Sequence, residues 1–212
     1  SMRSKNFGKI SEKQKDFMKI AFDATMAMND LISRLLNISR IEAGRLAVTP
    51  KEVDTKELVG SIIKMHSPKI IEKKHKVVFT ANDGPVMFTD PRLIEEIISN
   101  LLSNAIKYTP PGGKIRVVVK SSGKRVTIMV KDSGFGIPKG EQKRVFEKFF
   151  RAENIVTSEP EGNGLGLYLV RQLVELLEGQ VSFESTQNVG TTFYLTFPKR
   201  IKGRVGERTF SS

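Results

Sequence analysis

Between Lys9 and Ala43 the chain contains neither glycine nor proline, and one apolar seam runs through the stretch. Phe17, Ala21, Ala24, Met28, Leu31, Leu35 and Ile38 alternate steps of four and three, the heptad pattern of a helix that packs against other helices. Roughly 30 residues of helix extend about 45 Å, too far for a small domain to cover alone, so the seam demands a partner. Met18, Ile20, Ile32 and Leu36 widen the apolar face toward bundle packing. Ala43-Gly44-Arg45 offers a C-terminal end, with Pro50 shortly beyond.

The remainder has a different grammar. Val53-Asp54 begins a short strand, and Thr55 to Glu72 has helical spacing with a break at Pro68. Val77 to Thr80 and Val86 to Phe88 read as short strands around an Asn82-Asp83-Gly84 turn. Asp90-Pro91 opens a helix, with Asp at the cap and Pro in the first turn, carried by Leu93, Ile94, Ile97, Ile98 and Leu101. Lys114 to Lys120 and Lys124 to Lys131 alternate as a hairpin across Ser121-Ser122-Gly123. Helices near Glu141 to Phe146 and Leu167 to Leu177 precede strands at Val181 to Ser185 and Thr192 to Phe197. The mixture predicts an α/β chain of the α+β two-layer type: a mixed sheet covered on one face by helices, preceded by one long bundle-type helix. The expected division is 1–50 for the bundle helix, 51–198 for the sandwich, and 199–212 for a basic, flexible tail.

Composition excludes several classes. The 212 residues, 39% hydrophobic and 27% charged, suit one globular domain plus an extra element. No run of about 18 apolar residues suggests a membrane span, and zero cysteines exclude disulfide or thiolate-metal frameworks. Ser1-Met2 resembles a cleaved-tag remnant, so a longer parent protein is expected. The net charge of +12 is concentrated at Lys64 to Lys76 and Lys199 to Arg208, without interleaved aromatics. That arrangement favours a solvated cationic surface attracting a small polyanion over a nucleic-acid groove.

Four islands carry the chemistry: Asn100-Leu-Leu-Ser-Asn104-Ala-Ile-Lys107-Tyr108, Asp132-Ser-Gly134-Phe-Gly136-Ile137-Pro138, Gly162-Asn-Gly164-Leu165-Gly166-Leu167, and Gly190-Thr191-Thr192. Glu96, Asn100, Asn104 and Tyr108 fall four apart and share a helix face, with Lys107 alongside. Asparagine is a poor helix-interior residue, and its amide oxygen suits magnesium that keeps water and phosphate oxygens as other ligands; an amide network tying helix to sheet is the alternative. Lys107 can neutralise phosphate, and Tyr108 offers a ring beside a base. Asp132 can accept a hydrogen bond from the adenine amine, where guanine presents a carbonyl. Gly134 and Gly136 let the backbone approach a flat base. The glycines at 162, 164 and 166 lead into a helix whose N-terminal amides can meet phosphate. Arg151 to Asn163 is polar and proline-bearing, as in a mobile lid. Phe146, Phe149 and Phe150 are expected to seat its near end. Neither a P-loop nor a Gly-x-Gly-x-x-Gly fingerprint is present.

In this order the islands resemble the catalytic ATP-binding domain of sensor histidine kinases, in the superfamily shared with DNA gyrase, mismatch-repair and heat-shock chaperone ATPases. Phe146-Glu-Lys-Phe-Phe-Arg151 is similar to the family's phenylalanine box, and Leu35 to Gly44 resembles the close of the second helix of its dimerisation and phosphotransfer hairpin. The resemblance implies ATP and magnesium as cofactors, with the metal at Asn100 aided by Asn104. It implies phosphate contacts from Lys107 and Arg151, and adenine recognition by Asp132. Tyr108, Gly134, Gly136, Ile137, Leu165, Leu167 and Thr192 complete the pocket, and Gly162, Gly164 and Gly166 anchor the lid. The implied reaction moves the ATP γ-phosphoryl group to a histidine and onward to an aspartate of a response regulator, within a homodimer built on the full hairpin. A cytoplasmic location follows, including the cytoplasmic part of a membrane-bound sensor. His66 and His75 lack the family's acceptor context, so the acceptor helix is expected to be missing. Glu96 stands where gyrase-like relatives keep a water-activating glutamate and is a further catalytic candidate. Two other readings remain: a nucleotide-gated dimerisation module without kinase activity, and a DNA-associated ATPase of the same superfamily.

Overall fold

Ser11 closes a capping box with Gln14, each side chain bonded to the other's backbone amide, and starts α1 (Glu12–Glu42). The computed structural model describes residues 11–82, 85–158 and 162–202, without the side chains of 27, 30 and 156–158. The helix ends at Ala43, before Gly44 at φ 64°. Its seam is bare toward the N-terminus, with Phe17 and Met28 both exposed. Near the C-terminal end Ile38 is buried, with Leu31 and Ile41 packed beside it against the core.

Two sheets follow. β1 (Lys51–Asp54) pairs antiparallel with β3 (Val86–Thr89) in a small sheet. The large sheet has the order β2-β4-β5-β7-β6, formed by Lys76–Ala81, Lys114–Ser122, Arg125–Asp132, Gly190–Pro198 and Gln180–Thr186 respectively. β2 and β4 are parallel, and the other pairs are antiparallel. The strands expected on either side of residues 82–84 therefore do not form a hairpin, because each finds its partner elsewhere. Residues 83 and 84 lie outside the described residues. The β4–β5 hairpin turns at Gly123-Lys124, since Ser121 and Ser122 remain in register with Val126 and Arg125.

One face of the large sheet packs under α2 (Thr55–Met65), α4 (Pro91–Tyr108) and α6 (Gly166–Leu176). Ile115, Val117 and Val119 alternate inward from β4, and Val126, Ile128 and Val130 from β5. They meet Ile94, Ile97, Ile98 and Leu101 of α4, all at 1% exposure or less, so this one layer supplies most of the apolar burial. Pro68 stands in the first turn of α3 (Ser67–Glu72), separating it from α2. The helix expected near Glu141 is a 3-10 turn at Lys139–Arg144, and the lid segment contains α5 (Glu153–Ser158).

Residues 199–201 are not loose. Phe88 donates its amide to the Lys199 carbonyl at 2.7 Å, Ile201 donates to Phe88 at 3.1 Å, and Ile201 is buried. The Arg200 guanidinium stacks 4.3 Å from the Phe88 ring centre. A stretch without periodicity is thus held by backbone pairing, which no pattern of side chains reports. Residues 203–212 lie outside the described residues. No described helix is long and apolar enough to cross a membrane.

Candidate functional site

Asp90 sets the position of α4. Its carboxylate accepts from the Arg92 amide at 3.0 Å, and from the Thr49 amide at 2.8 Å and hydroxyl at 3.0 Å. The Arg92 guanidinium adds a 2.8 Å ion pair. Burial alone would raise this carboxyl, but Arg92 and Thr49 outweigh it and hold it down at about 2. One side chain therefore caps the helix and ties it to the linker after α1.

The polar face of α4 then forms a wall of a cavity of about 230 Å³. Asn100, Asn104, Lys107 and Tyr108 line it together with Asp132, Gly136, Ile137, Arg151, Gly162, Gly164, Gly166 and Leu167. Typical ligand pockets hold roughly 300–1,000 Å³, and this one is narrowed from within. Arg34 of α1 reaches into it, its Nη1 donating to the Asn100 side-chain oxygen at 2.5 Å. The Asn100 amide nitrogen donates to the Glu96 carbonyl at 2.7 Å. Gly166 closes the same corner, since a β-carbon there would stand 3.1 Å from the Asn100 oxygen.

Across the cavity, Asp132 ends β5. Its Oδ1 accepts from the Gly134 amide at 2.8 Å and the Thr191 amide at 3.1 Å. Among the described residues Oδ2 makes no hydrogen bond, and Asp132 faces the cavity, so an acceptor is presented there. Burial raises its pKa above the ordinary aspartate value, and the two amides only partly counter this. Gly136 has φ 62°, and any side chain there would collide with the Thr186 backbone, so the base of this loop requires glycine.

Lys107 Nζ lies 5.7 Å from the Tyr108 ring centre. A β-carbon at Gly162 would come within 3.2 Å of that Nζ. α6 begins at Gly166 with no side-chain cap, which leaves its first backbone amides open toward an anion. Phe146 is anchored edge-on to Phe183 at 5.8 Å, and Phe150 lines the cavity, but Phe149 is 62% exposed at φ 62° rather than seated in the core.

Several expected residues stand apart from the wall. Gly134 and Leu165 support it from behind, Leu165 being fully buried and Gly134 backed against the Tyr108 carbonyl. The cavity takes Thr191, which bonds to Asp132 and Ser185, while Thr192 lies on the other face of β7, paired with Lys131. Glu96 is turned toward α1, where its carboxylate accepts from Asn37 at 3.3 Å. Arg34 could not be found from the sequence, because it belongs to no motif and meets Asn100 across 66 residues. His75 bonds to the Ile106 carbonyl at 3.1 Å, away from the cavity. The C-terminal end of α1 is clamped alongside: Glu42 accepts from Tyr168 at 2.5 Å and pairs with Lys148 at 2.6 Å.

Residues 89–201 match the family described as histidine kinase-, DNA gyrase B-, and HSP90-like ATPase. The chain belongs to this ATP-binding family, and what it represents is the ATP-binding catalytic portion of a sensor histidine kinase. It is 33% identical over 197 residues to the circadian input-output histidine kinase CikA of Synechococcus elongatus, covering 92% of this chain and 26% of that protein. It is likewise 33% identical over 189 residues to the sensor histidine kinase RcsC of Escherichia coli, covering 84% of this chain and 20% of that protein. The catalytic domain of histidine kinase ThkA superposes with a TM-score of 0.64 at 27% identity, over 72% of this chain and 97% of that one. The chain thus spans about a quarter or less of the two curated relatives.

Proposed function

We propose that this chain binds ATP with magnesium and donates the γ-phosphoryl group to a histidine on a helical hairpin, for relay to an aspartate of a response regulator. The observation that carries the reading is Asp132. One of its oxygens is fixed by two backbone amides and the other is offered to a cavity whose far wall is Asn100, Asn104 and Lys107. A fixed acceptor there selects the adenine amine and opposes guanine, with Ile137 and Tyr108 beside the base.

Lys107 and Arg151 would neutralise phosphate, and the open amides at Gly166 and Leu167 would meet its oxygens. Asn100 would hold magnesium through the oxygen now bonded to Arg34, with Asn104 one turn away. Among the described residues no cluster of three His, Cys, Asp or Glu could hold a metal. Amide oxygens alone fit an ion that draws most of its ligands from phosphate and water. When bound, that ion neutralises charge on the phosphates. Glu96 is engaged by Asn37, and we assign it no role in the transfer step. The bare seam of α1 supports pairing with a second copy through the hairpin, in a cytoplasmic setting. We divide the chain into a bundle helix to about residue 50 and a nucleotide domain beyond it.

The test is titration of the chain with ATP in magnesium, then incubation with radiolabelled ATP and the histidine-bearing hairpin of the parent protein. Saturable binding and acid-labile label on the hairpin are expected. Binding without transfer would sink the kinase reading, and no binding would sink the nucleotide site itself.

A further inference from the structure

The sheet face turned away from the helices carries six exposed cations: Lys76 on β2, Lys114, Arg116 and Lys120 on β4, and Arg125 and Lys131 on β5. Among the described residues none of the six is in an ion pair. Among the described residues the one acid on the face is Glu184 of β6, at its far side, where it accepts from the Tyr194 hydroxyl at 3.2 Å. Charges of one sign held this close raise the local potential and wait for an opposite partner.

The register gives the patch a pattern. Val118, Met129 and Tyr194 are directly paired across β4, β5 and β7, forming an apolar rung perpendicular to the strands. Arg116 and Lys131 form the next rung on one side, and Lys120, paired with Thr127, lies on the other. The rung lies in a shallow groove whose walls include Val78, Arg116 and Lys120. Same-face residues on a strand stand about 6.8 Å apart, so Arg116 and Lys120 lie about 14 Å from each other on the two sides of the rung. An α-helix with its side chains is about 10–12 Å wide. The groove is lined by four strands, β2, β4, β5 and β7, and three spacings of about 4.8 Å give it a length of about 14 Å, which accommodates two to three helical turns.

We propose that this sheet face docks an amphipathic helix of a partner protein. The helix would lie across the strands, with its apolar stripe on Val118, Met129 and Tyr194 and glutamates or aspartates on both flanks. An unbranched methionine at the centre adapts to such a stripe, and rim cations would set partner choice and association rate. Single-stranded nucleic acid would call for several stacking rings, and this face offers Tyr194 alone. An anionic bilayer would call for protruding apolar side chains, whereas these sit in a groove rimmed by charge. The chain's own C-terminal sequence is itself cationic and does not suit the role. This proposal is independent of the nucleotide site.

The test is the amide and methyl NMR spectrum of the full chain, titrated with a synthetic helix of about 14 residues. The peptide carries leucine along one stripe and glutamate on both flanks; a matched peptide carries lysine instead. Saturable shifts at Val118, Met129 and Tyr194 are expected with the glutamate peptide only. The double variant Arg116→Glu, Lys120→Glu should bind it about tenfold or more weakly, with the rest of its spectrum superimposable. No shifts, equal binding of the lysine peptide, or indifference to charge reversal overturns the proposal. So does tighter binding at these residues by phosphatidylglycerol vesicles or by oligothymidine.

Discussion

Arg34 on α1 donates to the side-chain oxygen of Asn100 on α4 at 2.5 Å, and that oxygen is the atom a magnesium ion would need. In the proposed site the Arg34 cation and the metal cation would therefore compete for that oxygen. Arg34→Ala is expected to raise affinity for magnesium-ATP about two- to tenfold, the range of one hydrogen bond's net contribution. Affinity for ATP without metal should change less. Calorimetric titration with and without magnesium checks this, and equal affinities for wild type and variant would refute the competition.

Asp132→Asn tests adenine recognition without dismantling the turn. An asparagine oxygen can still accept from Gly134 and Thr191, but the second position becomes an N–H donor facing the cavity. ATP affinity should fall roughly ten- to a hundredfold, by about 1.5–3 kcal/mol, and the margin over GTP should shrink. A folded variant that binds ATP as tightly as wild type would remove Asp132 from the site.

Gly166→Ala separates folding from binding. Alanine is favoured over glycine by about 1 kcal/mol inside a helix and by less at its first position, so the melting temperature should hold within a few degrees. The new methyl would crowd the Asn100 oxygen at 3.1 Å and Arg34 Nη1 at 3.6 Å. Magnesium-ATP affinity is therefore expected to drop several-fold in a protein of about the same stability. An unchanged affinity would show that this corner is not part of the nucleotide site.

Asp90 governs stability in acid. Its folded-state pKa is lowered from 3.8 to about 2, so the ionised form favours folding. That contribution is complete above the unfolded value and drains away as the pH falls through about 2. Urea unfolding of Asp90→Asn should show a loss of about 2 kcal/mol near neutrality. The gap to wild type should narrow from pH 4 downward and close only below about 2. A gap constant with pH would mean that the carboxylate charge is not what holds the Thr49 linker.

Sequence reading succeeded where the signal is local. The seam of α1, the Asp90-Pro91 opening, the four-residue spacing from Glu96 to Tyr108 and the β4–β5 alternation all follow from periodicity and capping. It failed where partners are distant. β2 and β3 look like neighbours in sequence, yet they join different sheets because register is decided by the strands they meet. Thr191 and Thr192 are interchangeable as letters, and only the pleat decides which one faces Asp132. Arg34 and Glu96 are settled by how α1 lies on α4, and neither chain segment encodes that alone. Phe149 takes a left-handed backbone against Gly164, a geometry that no aromatic spacing announces.

The unbroken run of α1 from Glu12 to Glu42 makes it a stiff shaft with one end outside the nucleotide site and the other inside it. Phe17 and Arg34 are separated by about 25 Å of continuous helix, without a glycine or proline joint to absorb torsion. A twist applied where the seam is bare would be carried along the helix toward Arg34 and the bond it makes to Asn100. The exposed end of the shaft and one wall of the cavity thus belong to a single continuous element.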